Sequence, residues 1–181
     1  MEKLVDVAKK FEVELKKIKV FATDVDGVLT DGRLWFQGQE MGWNRFFHAH
    51  DGTGLKYLLE AGIKVGVISG GDSKGLRSRL DYLKLDFSYL GSDDKCLAYL
   101  DLKKRFNVTD EEIIFIGDDF YDIPILKKVG FAVSVPSAPE EVRDVVDWVT
   151  GKDGGRGAVR EVADVLRYAQ GIIPWIPDFT D

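Results

Sequence analysis

The chain has 181 residues, of which 45% are hydrophobic and 31% charged, and 25 basic against 31 acidic residues give a net charge of −6. This length and apolar content predict a single folded domain with one sizeable core. The acidic balance argues against a nucleic-acid partner, which needs a basic face, and a lone cysteine, Cys96, excludes a disulfide scaffold.

The first segment shows helical periodicity. Its apolar residues Leu4, Ala8, Phe11, Leu15 and Ile18 recur at steps of three and four, which predicts an amphipathic helix. The segment carries no apolar signal-peptide core, and no run in the chain approaches the ~18 apolar residues of a membrane span. We therefore expect a cytoplasmic protein without a membrane partner.

Beyond this helix, short runs rich in β-branched and aromatic residues alternate with helical patterns. The alternation predicts an α/β fold, with a doubly wound, mainly parallel sheet and right-handed crossovers. The predicted strands are 19–25, 64–68, 86–90, 113–117 and 131–135, and the predicted later helices are 53–61, 73–84, 94–106, 121–129, 139–145 and 158–170.

One segment, residues 33–47, departs from this alternation. Two aromatic-rich runs are joined by Gly38-Gln39-Glu40, which predicts a β-hairpin inserted directly after the first strand. Such a hairpin projects from the carboxyl edge of the sheet, where open α/β sheets bind their ligands.

The strongest functional signal is DVDGVLTDG, residues 24–32, which follows the first predicted strand. Side chains alternate along a strand, so the carboxylates of Asp24 and Asp26 lie on one face at its end. Two carboxylates this close raise each other's pKa unless a cation lies between them, and Mg²⁺ prefers such oxygen ligands. A turn rich in Asp and Gly is the structural alternative. An EF-hand calcium loop fits less well, because Val28 and Leu29 stand where it needs a polar ligand and a glycine.

A second acidic cluster, GDDFYD at residues 117–122, follows another predicted strand. The structural alternative is that Asp118 and Asp119 cap the following helix. Capping one helix does not explain why two strands of a parallel sheet end in acidic residues at the same edge.

Two further signals follow the second and third predicted strands of the sheet. Ser69-Gly70-Gly71 offers a hydroxyl and free N–H groups at a helix N-terminus, which can bind phosphate, although ordinary strand-to-helix turns have the same composition. Lys95 begins a predicted helix, where the helix dipole disfavours a cation. The lysine is therefore either solvated or faces an anion.

In this order and spacing, the motifs resemble those of the haloacid dehalogenase superfamily of phosphotransferases. DVDGVLTDG corresponds to the first motif, Ser69-Gly70 to the second, Lys95 to the third and GDDFYD to the fourth, from about residue 19 to residue 170. The hairpin, FHAHDGTGLKYL (47–58) and GGRGAVREVADVL (154–166) look like the small phosphatases, without a cap domain, that act on 3-deoxy-D-manno-octulosonate 8-phosphate. Members of this group form tetramers, so the resemblance implies a homotetramer.

The resemblance implies hydrolysis of a phosphate monoester through a phospho-aspartate. Asp24 is then the nucleophile, and Asp26 the general acid and base. The Ser69 hydroxyl, the Gly70 N–H and the Lys95 ammonium donate to the phosphoryl oxygens. The implied substrate is a small phosphorylated sugar acid.

The same resemblance implies Mg²⁺ as the cofactor. Its ligands are the side chain of Asp24, the backbone carbonyl of Asp26 and the side chain of Asp118. Asp119 and Asp122 then act through water or orient these ligands.

The sugar-binding residues are less sharply indicated. Relatives often carry arginine directly after the second-motif glycine, where this chain has Gly71 followed by Asp72, as do some relatives specific for nine-carbon ulosonate phosphates. The length of the sugar therefore stays open. Arginine suits a sugar carboxylate because it forms two parallel hydrogen bonds with it. The polar candidates at this edge are Arg33, Asp72 and Arg156, with His48 and His50 given no role.

Two other classes of protein share parts of the pattern. A signalling receiver domain also combines aspartates, a lysine and Mg²⁺ on a doubly wound sheet, but the pair Asp24 and Asp26 and the hairpin speak against it. A non-catalytic oligomerisation module is disfavoured because every motif residue is intact.

The last predicted helix is followed by a tail, residues 172–181. Two prolines prevent a helix there, while Trp175, Ile176 and Phe179 are costly to leave in water. We expect the tail to dock on a neighbouring subunit or over its active site, or else on its own core.

Overall fold

A six-stranded parallel sheet organises the molecule, whose computed structural model describes residues 3–92 and 94–178. The elements are α1 (Leu4–Lys10), α2 (Glu12–Leu15), β1 (Val20–Thr23), β2 (Trp35–Phe36), α3 (Gly38–Met41), β3 (Trp43–Asn44), α4 (Ala49–Glu60), β4 (Lys64–Ser69), α5 (Lys74–Leu83), β5 (Phe87–Leu90), α6 (Lys95–Phe106), β6 (Ile113–Ile116), α7 (Ile123–Leu126), β7 (Phe131–Ser134), α8 (Glu140–Arg143), β8 (Trp148–Val149) and α9 (Ala158–Gln170). The sheet order is β5-β4-β1-β6-β7-β8. The predicted doubly wound α/β fold is confirmed.

The sheet is buried on both faces, as its apolar strands predict. All four residues of β1 and of β6 are buried. Phe21 and Ile114 belong to one apolar cluster, with residues of α1, α4 and α9, whereas Ala22 and Phe115 belong to the other, with residues of α6 and α7. Alternate side chains of each strand therefore serve two separate cores.

The order of the strands favours ligand binding at one position of the sheet edge. β1 pairs with β4 on one side and with β6 on the other. The chain moves outward from β1 through β4 to β5, and then returns to build β6, β7 and β8 on the opposite side. This reversal opens a crevice at the carboxyl end of β1.

The predicted hairpin is present but shorter than its sequence pattern. β2 and β3 pair in antiparallel register, with Phe36 opposite Trp43, and each has two residues. The expected three-residue turn is instead the short helix α3. Most of the aromatic residues of segment 33–47, on these two short strands and the loop after them, are exposed.

Several other elements also differ from the predictions. The N-terminal pattern forms two helices because the backbone leaves helical geometry at Phe11, with φ −113° and ψ 27°. The helix predicted for 121–129 begins as a 3₁₀ turn, Phe120–Asp122, before α7. The edge strand β8 was not predicted, since two residues are too few for a periodic signal.

Within the described residues no cap domain interrupts the fold, in agreement with the prediction. None of the described helices is long and apolar enough to cross a membrane. Residues 172–178 have no regular secondary structure, and Ile173, Trp175 and Ile176 are exposed. Phe179, also part of the predicted tail, lies outside the described residues.

Candidate active site

The three central strands bring their functional residues together at the carboxyl edge of the sheet. Asp24 directly follows β1, and its N–H donates to the carbonyl of Ile116, the last residue of β6 (2.8 Å). Ser69 is the last residue of β4, on the other side of β1. The hydrogen bond from Asp24 to Ile116 thus places the DVDGVLTDG segment directly beside the strand that leads into the acidic cluster at residues 117–122.

Lys95 lies at the centre of a buried ion cluster. Its Nζ is 3.0 Å from Asp24 Oδ1 and 2.7 Å from Asp122 Oδ1, and the three side chains are 5%, 9% and 0% exposed. Asp94 caps α6 by accepting from the N–H of Cys96 (3.0 Å), which fixes the start of the helix. Two carboxylates therefore compensate the unfavourable position of a cation in the first helical turn.

The carboxylates of the cluster are held in an environment that favours their protonated forms. Burial, with the charge of Asp122, raises the pKa of Asp24 to about 7 against the opposing effect of Lys95. Burial, with the charges of Asp24 and Asp122, raises the pKa of Asp118 to about 8. Burial alone would lower the pKa of Lys95, but Asp24 and Asp122 outweigh it, so this pKa is raised. The cluster holds more negative charge than one lysine neutralises.

The donor set fits a hard divalent cation. One carboxylate oxygen from each of Asp24, Asp118 and Asp122 can lie within 4.8 Å of the others. Asp118 Oδ1 is buried and has no hydrogen-bond partner among the described residues. Gly27, at φ +89°, leaves the space that the Asp118 carboxylate occupies, since an added Cβ would overlap it. An unpartnered buried oxygen facing other carboxylates is what an oxygen-seeking ion such as Mg²⁺ requires.

Asp122 differs from the other two carboxylates in its hydrogen bonds. Its Oδ1 accepts from Lys95, and its Oδ2 accepts from the N–H groups of Asp118 (3.0 Å) and Asp119 (3.2 Å). Both oxygens are thus committed to the protein. Asp122 therefore connects the loop after β6 to the lysine.

A cavity of about 200 Å³ opens beside this cluster. The Ser69 hydroxyl there accepts a hydrogen bond from the N–H of Gly71 (3.2 Å), and this bond turns the loop after β4 toward the cavity. Its lining residues are Asp24, Asp26, Ser69, Gly70, Gly71, Lys95, Asp119 and Tyr121. The cavity thus combines a carboxylate pair, a hydroxyl and an ammonium group.

One residue of this region was missed by the sequence reasoning. Arg45, in the loop after β3, has a side chain only 3% exposed and forms an ion pair with Asp26. A lone arginine in an aromatic-rich run carried no signal of this contact, which joins residues 19 positions apart. The predicted hairpin therefore reaches the site through a charged side chain.

The glycine-rich loop 151–157 is also anchored to the site, again through residues that the motifs did not indicate. The carboxylate of Glu161 accepts from the N–H groups of Gly151 (2.8 Å) and Lys152 (3.1 Å). The N–H of Gly155 donates to the carbonyl of Val28 in the first motif (3.0 Å). This loop therefore forms one wall behind the DVDGVLTDG segment.

The predicted sugar-binding residues lie outside the lining of the cavity. Arg33 and Arg156 both reach Asp31, at 2.5 Å and 3.7 Å, and both side chains are mostly exposed. Asp72 forms an ion pair with Arg77 (2.6 Å). The rings of His48 and His50 lie 5.2 Å apart between centroids, and His48 Nδ1 has no partner among the described residues.

A doubly wound parallel sheet with an aspartate pair after its first strand, and a lysine and a second acidic cluster at the same edge, is typical of haloacid dehalogenase-like hydrolases. The family described as haloacid dehalogenase-like hydrolase matches residues 89–162. The 3-deoxy-D-manno-octulosonate 8-phosphate phosphatase KdsC of Haemophilus influenzae is 42% identical over 160 residues, 87% of each chain. The Escherichia coli K12 protein of that name is 37% identical over 158 residues, 86% of this chain and 82% of the relative.

Solved structures agree with these similarities. The Moraxella catarrhalis octulosonate 8-phosphate phosphatase, in complex with magnesium, phosphate and KDO, superposes with a TM-score of 0.85 at 36% identity, covering 90% of this chain and 93% of the other. The cobalt-bound Haemophilus influenzae phosphatase has a TM-score of 0.83 at 42% identity, covering 87% and 92%. This chain belongs to the 3-deoxy-D-manno-octulosonate 8-phosphate phosphatase family of the haloacid dehalogenase-like hydrolases. The superfamily inferred from the four motifs is confirmed, and so is the phosphatase group inferred from the hairpin and segments 47–58 and 154–166.

Proposed function

We propose that the protein is a Mg²⁺-dependent phosphatase that hydrolyses 3-deoxy-D-manno-octulosonate 8-phosphate to the free sugar acid and phosphate. The observation that carries the proposal is the buried cluster in which Lys95 bridges Asp24 and Asp122 while Asp118 keeps an unpartnered oxygen. An uncompensated cluster of this kind is costly unless a cation binds it. The relatives named above, which carry this activity in their names, support the choice of substrate.

The reaction proceeds in two steps at one phosphorus atom. First, a carboxylate oxygen of Asp24 bonds to phosphorus while the bond from phosphorus to the sugar oxygen breaks, and Asp26 gives its proton to that oxygen. Then a water oxygen attacks the phosphorus of the phospho-aspartate, and Asp26 takes the proton from the water. Asp24 is released as a carboxylate together with phosphate.

Charge on the transferring phosphoryl group is stabilised by fixed donors. The Ser69 hydroxyl, the Gly70 N–H and the Lys95 ammonium all line the cavity next to Asp24. Donors already aimed at the developing charge lower the barrier without having to reorganise. Lys95 is held for this role by its contact with Asp122 (2.7 Å).

The metal belongs at the carboxylate cluster. Held by the carboxylates of Asp24 and Asp118 and the backbone carbonyl of Asp26, Mg²⁺ supplies positive charge to the phosphoryl oxygens. Asp122 orients the loop through its own hydrogen bonds, and Asp119, which lines the cavity, acts through water.

Recognition of the sugar acid is assigned to the outer rim. Arg33 and Arg156 both contact Asp31 of the first motif, and their exposed guanidinium groups can turn from it to a sugar carboxylate. Asp72, at the start of α5, can accept from sugar hydroxyl groups. Its partner Arg77 keeps the carboxylate oriented (2.6 Å).

A phosphate-release assay tests the proposal. We expect Mg²⁺-dependent turnover of octulosonate 8-phosphate, slower turnover of a nine-carbon ulosonate 9-phosphate, and at least ~100-fold loss for Asp24→Asn. Preference for the nine-carbon substrate would reassign the sugar and leave the chemistry intact. Stoichiometric labelling without turnover would indicate a receiver domain, and no reaction with any phosphate ester would indicate a non-catalytic module. Either of the last two results would refute the proposal.

We further propose that the protein is a cytoplasmic homotetramer, assembled in part through the hairpin. The exposed side chains there are large and apolar: Leu34, Trp35, Phe36, Trp43 and Phe46. Apolar surface of this size on one element is typical of an interface. The sole thiol, at Cys96, requires no oxidising compartment.

A further inference from the structure

Arg45 is a buried charged residue in contact with the site that the proposed steps do not use. It comes from the loop after β3, and its side chain is 3% exposed. Its Nε donates to Asp26 Oδ1 (2.5 Å) and its Nη2 donates to Asp26 Oδ2 (2.7 Å). The two bonds form the bidentate pair that a guanidinium makes best, so both oxygens of Asp26 are held in one plane.

The guanidinium is itself fixed from two other elements. Its Nη1 donates to the carbonyl of Trp43 in β3 (3.3 Å) and to the hydroxyl of Ser73, the N-cap of α5 (3.2 Å). Ser73 in turn accepts from the N–H of Leu76 (3.2 Å). The position of Arg45, and through it that of Asp26, is therefore set by the hairpin and by the first turn of α5.

The loop after β4, which contains Gly71, leaves room for the ion pair of Arg45 and Asp26. A Cβ added at Gly71 would lie 2.5 Å from Arg45 Nη2 and 2.8 Å from Asp26 Oδ2. Both neighbours are the ends of side chains, so a larger residue at this position would displace the pair rather than the backbone. Glycine at position 71 thus leaves free the space that the ion pair of Arg45 and Asp26 occupies.

We infer that Arg45 is a positioning residue for Asp26, which makes the hairpin part of the catalytic machinery. A carboxylate held through both oxygens cannot donate a proton to the substrate. Before the leaving-group step, one oxygen of Asp26 therefore leaves Arg45 and takes up a proton from solvent. This oxygen gives the proton to the sugar oxygen, while the other keeps its hydrogen bond to Arg45. This inference rests on the proposed role of Asp26 as acid and base.

The test separates positioning from substrate binding by using substrates without a sugar or a carboxylate. Substituted phenyl phosphates, from 4-nitrophenyl to unsubstituted phenyl phosphate, differ in how much their leaving oxygen needs a proton. The ratio of kcat/KM for 4-nitrophenyl phosphate to that for phenyl phosphate therefore reports on the general acid. The parameter kcat/KM covers only the steps through release of the phenol, so the second step does not obscure the comparison.

We expect Arg45→Met to raise this ratio at least about tenfold, a part of the roughly 100-fold or more that a general acid contributes. Arg45→Lys, which can hold one oxygen of Asp26, should recover part of the loss. Asp26→Asn, which removes the general acid itself, should raise the ratio the most. Arg167→Met is the matched control, because it removes an arginine ion pair on α9 (2.6 Å to Asp164) away from the cavity, and its ratio should equal that of the wild type.

Gly71→Ala provides a second variant that keeps every charged group. Its added Cβ should displace the pair and raise the ratio in the same direction, and thermal unfolding should show that the protein stays folded. If Asp26→Asn raises the ratio while Arg45→Met and Gly71→Ala do not, the positioning role of Arg45 is overturned. If Asp26→Asn itself leaves the ratio unchanged, the proposed role of Asp26 fails instead.

Discussion

At the scale of single residues, the site brings several buried carboxylates together although their negative charges repel one another. Burial, and the proximity of Asp24 and Asp122, raise the pKa of Asp118 to about 8, and burial with Asp122 raises that of Asp24 to about 7. A fold selected for stability alone would not place these groups together, because each ionised carboxylate raises the free energy of the next. A cation that binds this cluster in the folded protein, and not in the unfolded chain, stabilises the fold.

The first prediction concerns the removal of one of these charges. Asp118→Asn keeps the shape of the side chain and removes repulsion with Asp24 and Asp122, so the metal-free variant should melt no lower than the wild type. It should lose most of the stabilisation by Mg²⁺, which for the wild type amounts to about 2.7 kcal/mol at 100 times Kd. Thermal unfolding with EDTA and with Mg²⁺ measures both. The exposed Asp144→Asn is the control, and a full Mg²⁺ response in Asp118→Asn would contradict the assignment.

The second prediction concerns pH. Below pH 7 the metal-free carboxyls of Asp24 and Asp118 carry protons that Mg²⁺ must expel, because their pKa values are about 7 and about 8. The apparent affinity should therefore rise from pH 6 to pH 8, by up to about tenfold per unit for each proton released, and level off above pH 8. The metal-free protein should lose stability over the same range, since a raised carboxyl pKa favours the folded state only while the group is protonated. Calorimetric titration at four pH values checks this, and an affinity independent of pH would contradict it.

At the scale of elements, α9 is fixed by side chains from elsewhere. Its N-cap is Gly157, which has no side chain to accept from the first turn. Asp51 of α4 takes this role, because its Oδ1 accepts from the N–H of Arg160 (2.8 Å). The same turn carries Glu161, which holds the loop behind the first motif. The capping of one helix by another thus positions a wall of the site.

The third prediction tests this cap. Asp51→Ala should lower the free energy of unfolding by about 1–2 kcal/mol, because it leaves the N–H of Arg160 without an acceptor. Asp51→Asn keeps an acceptor oxygen and removes a buried charge whose pKa is raised chiefly by burial. It should therefore be the more stable of the two at pH 8. Urea denaturation measures the difference, and equal losses in the two variants would show that the hydrogen bond does not matter.

At the scale of the whole molecule, the sheet explains why one edge carries the chemistry. β1 lies between β4 and β6, so residues after all three strands meet at the point where the strand order reverses. The hairpin leaves this edge with exposed aromatic residues on one side and Arg45 on the other. The proposed assembly and the proposed positioning of Asp26 therefore share one element.

The fourth prediction concerns this assembly. Trp43→Ser combined with Phe46→Ser should convert the proposed tetramer to smaller species in sedimentation velocity, because the exposed rings would lose their apolar burial between subunits. Leu100→Ser, at an exposed apolar site on α6, is the control and should leave the size unchanged. Truncation after Gly171 should change the oligomer or the KM for substrate. A monomeric wild-type protein, or a hairpin variant that stays tetrameric, would contradict the interface.

The parts of this molecule that could be predicted from sequence are those encoded locally. Strands β1, β4 and β6 are continuous apolar runs, and Asp24, Ser69 and Asp118 stand at or just beyond their ends, so both the strands and their functional edge follow from short segments. Lys95 was notable because a cation in a first helical turn needs an anion nearby.

The parts that could not be predicted depend on contacts between distant segments. Asp51 caps a helix that begins more than 100 positions later, and its N–H partner is 109 residues away. Arg45 reaches Asp26 only because the hairpin folds over the first motif, which no periodicity encodes. β8 has two residues, and its pairing with β7 comes from the packing of the sheet edge.

The central claim is that Asp24 carries the phosphoryl group during turnover. The most direct measurement is to quench the enzyme with acid while it turns over octulosonate 8-phosphate with Mg²⁺, reduce the acyl phosphate with borohydride, and identify the modified residue by mass spectrometry. Homoserine is expected at position 24 of the wild type and is expected to be absent in Asp24→Asn. Steady turnover with homoserine at another aspartate, or with none at all, would contradict it.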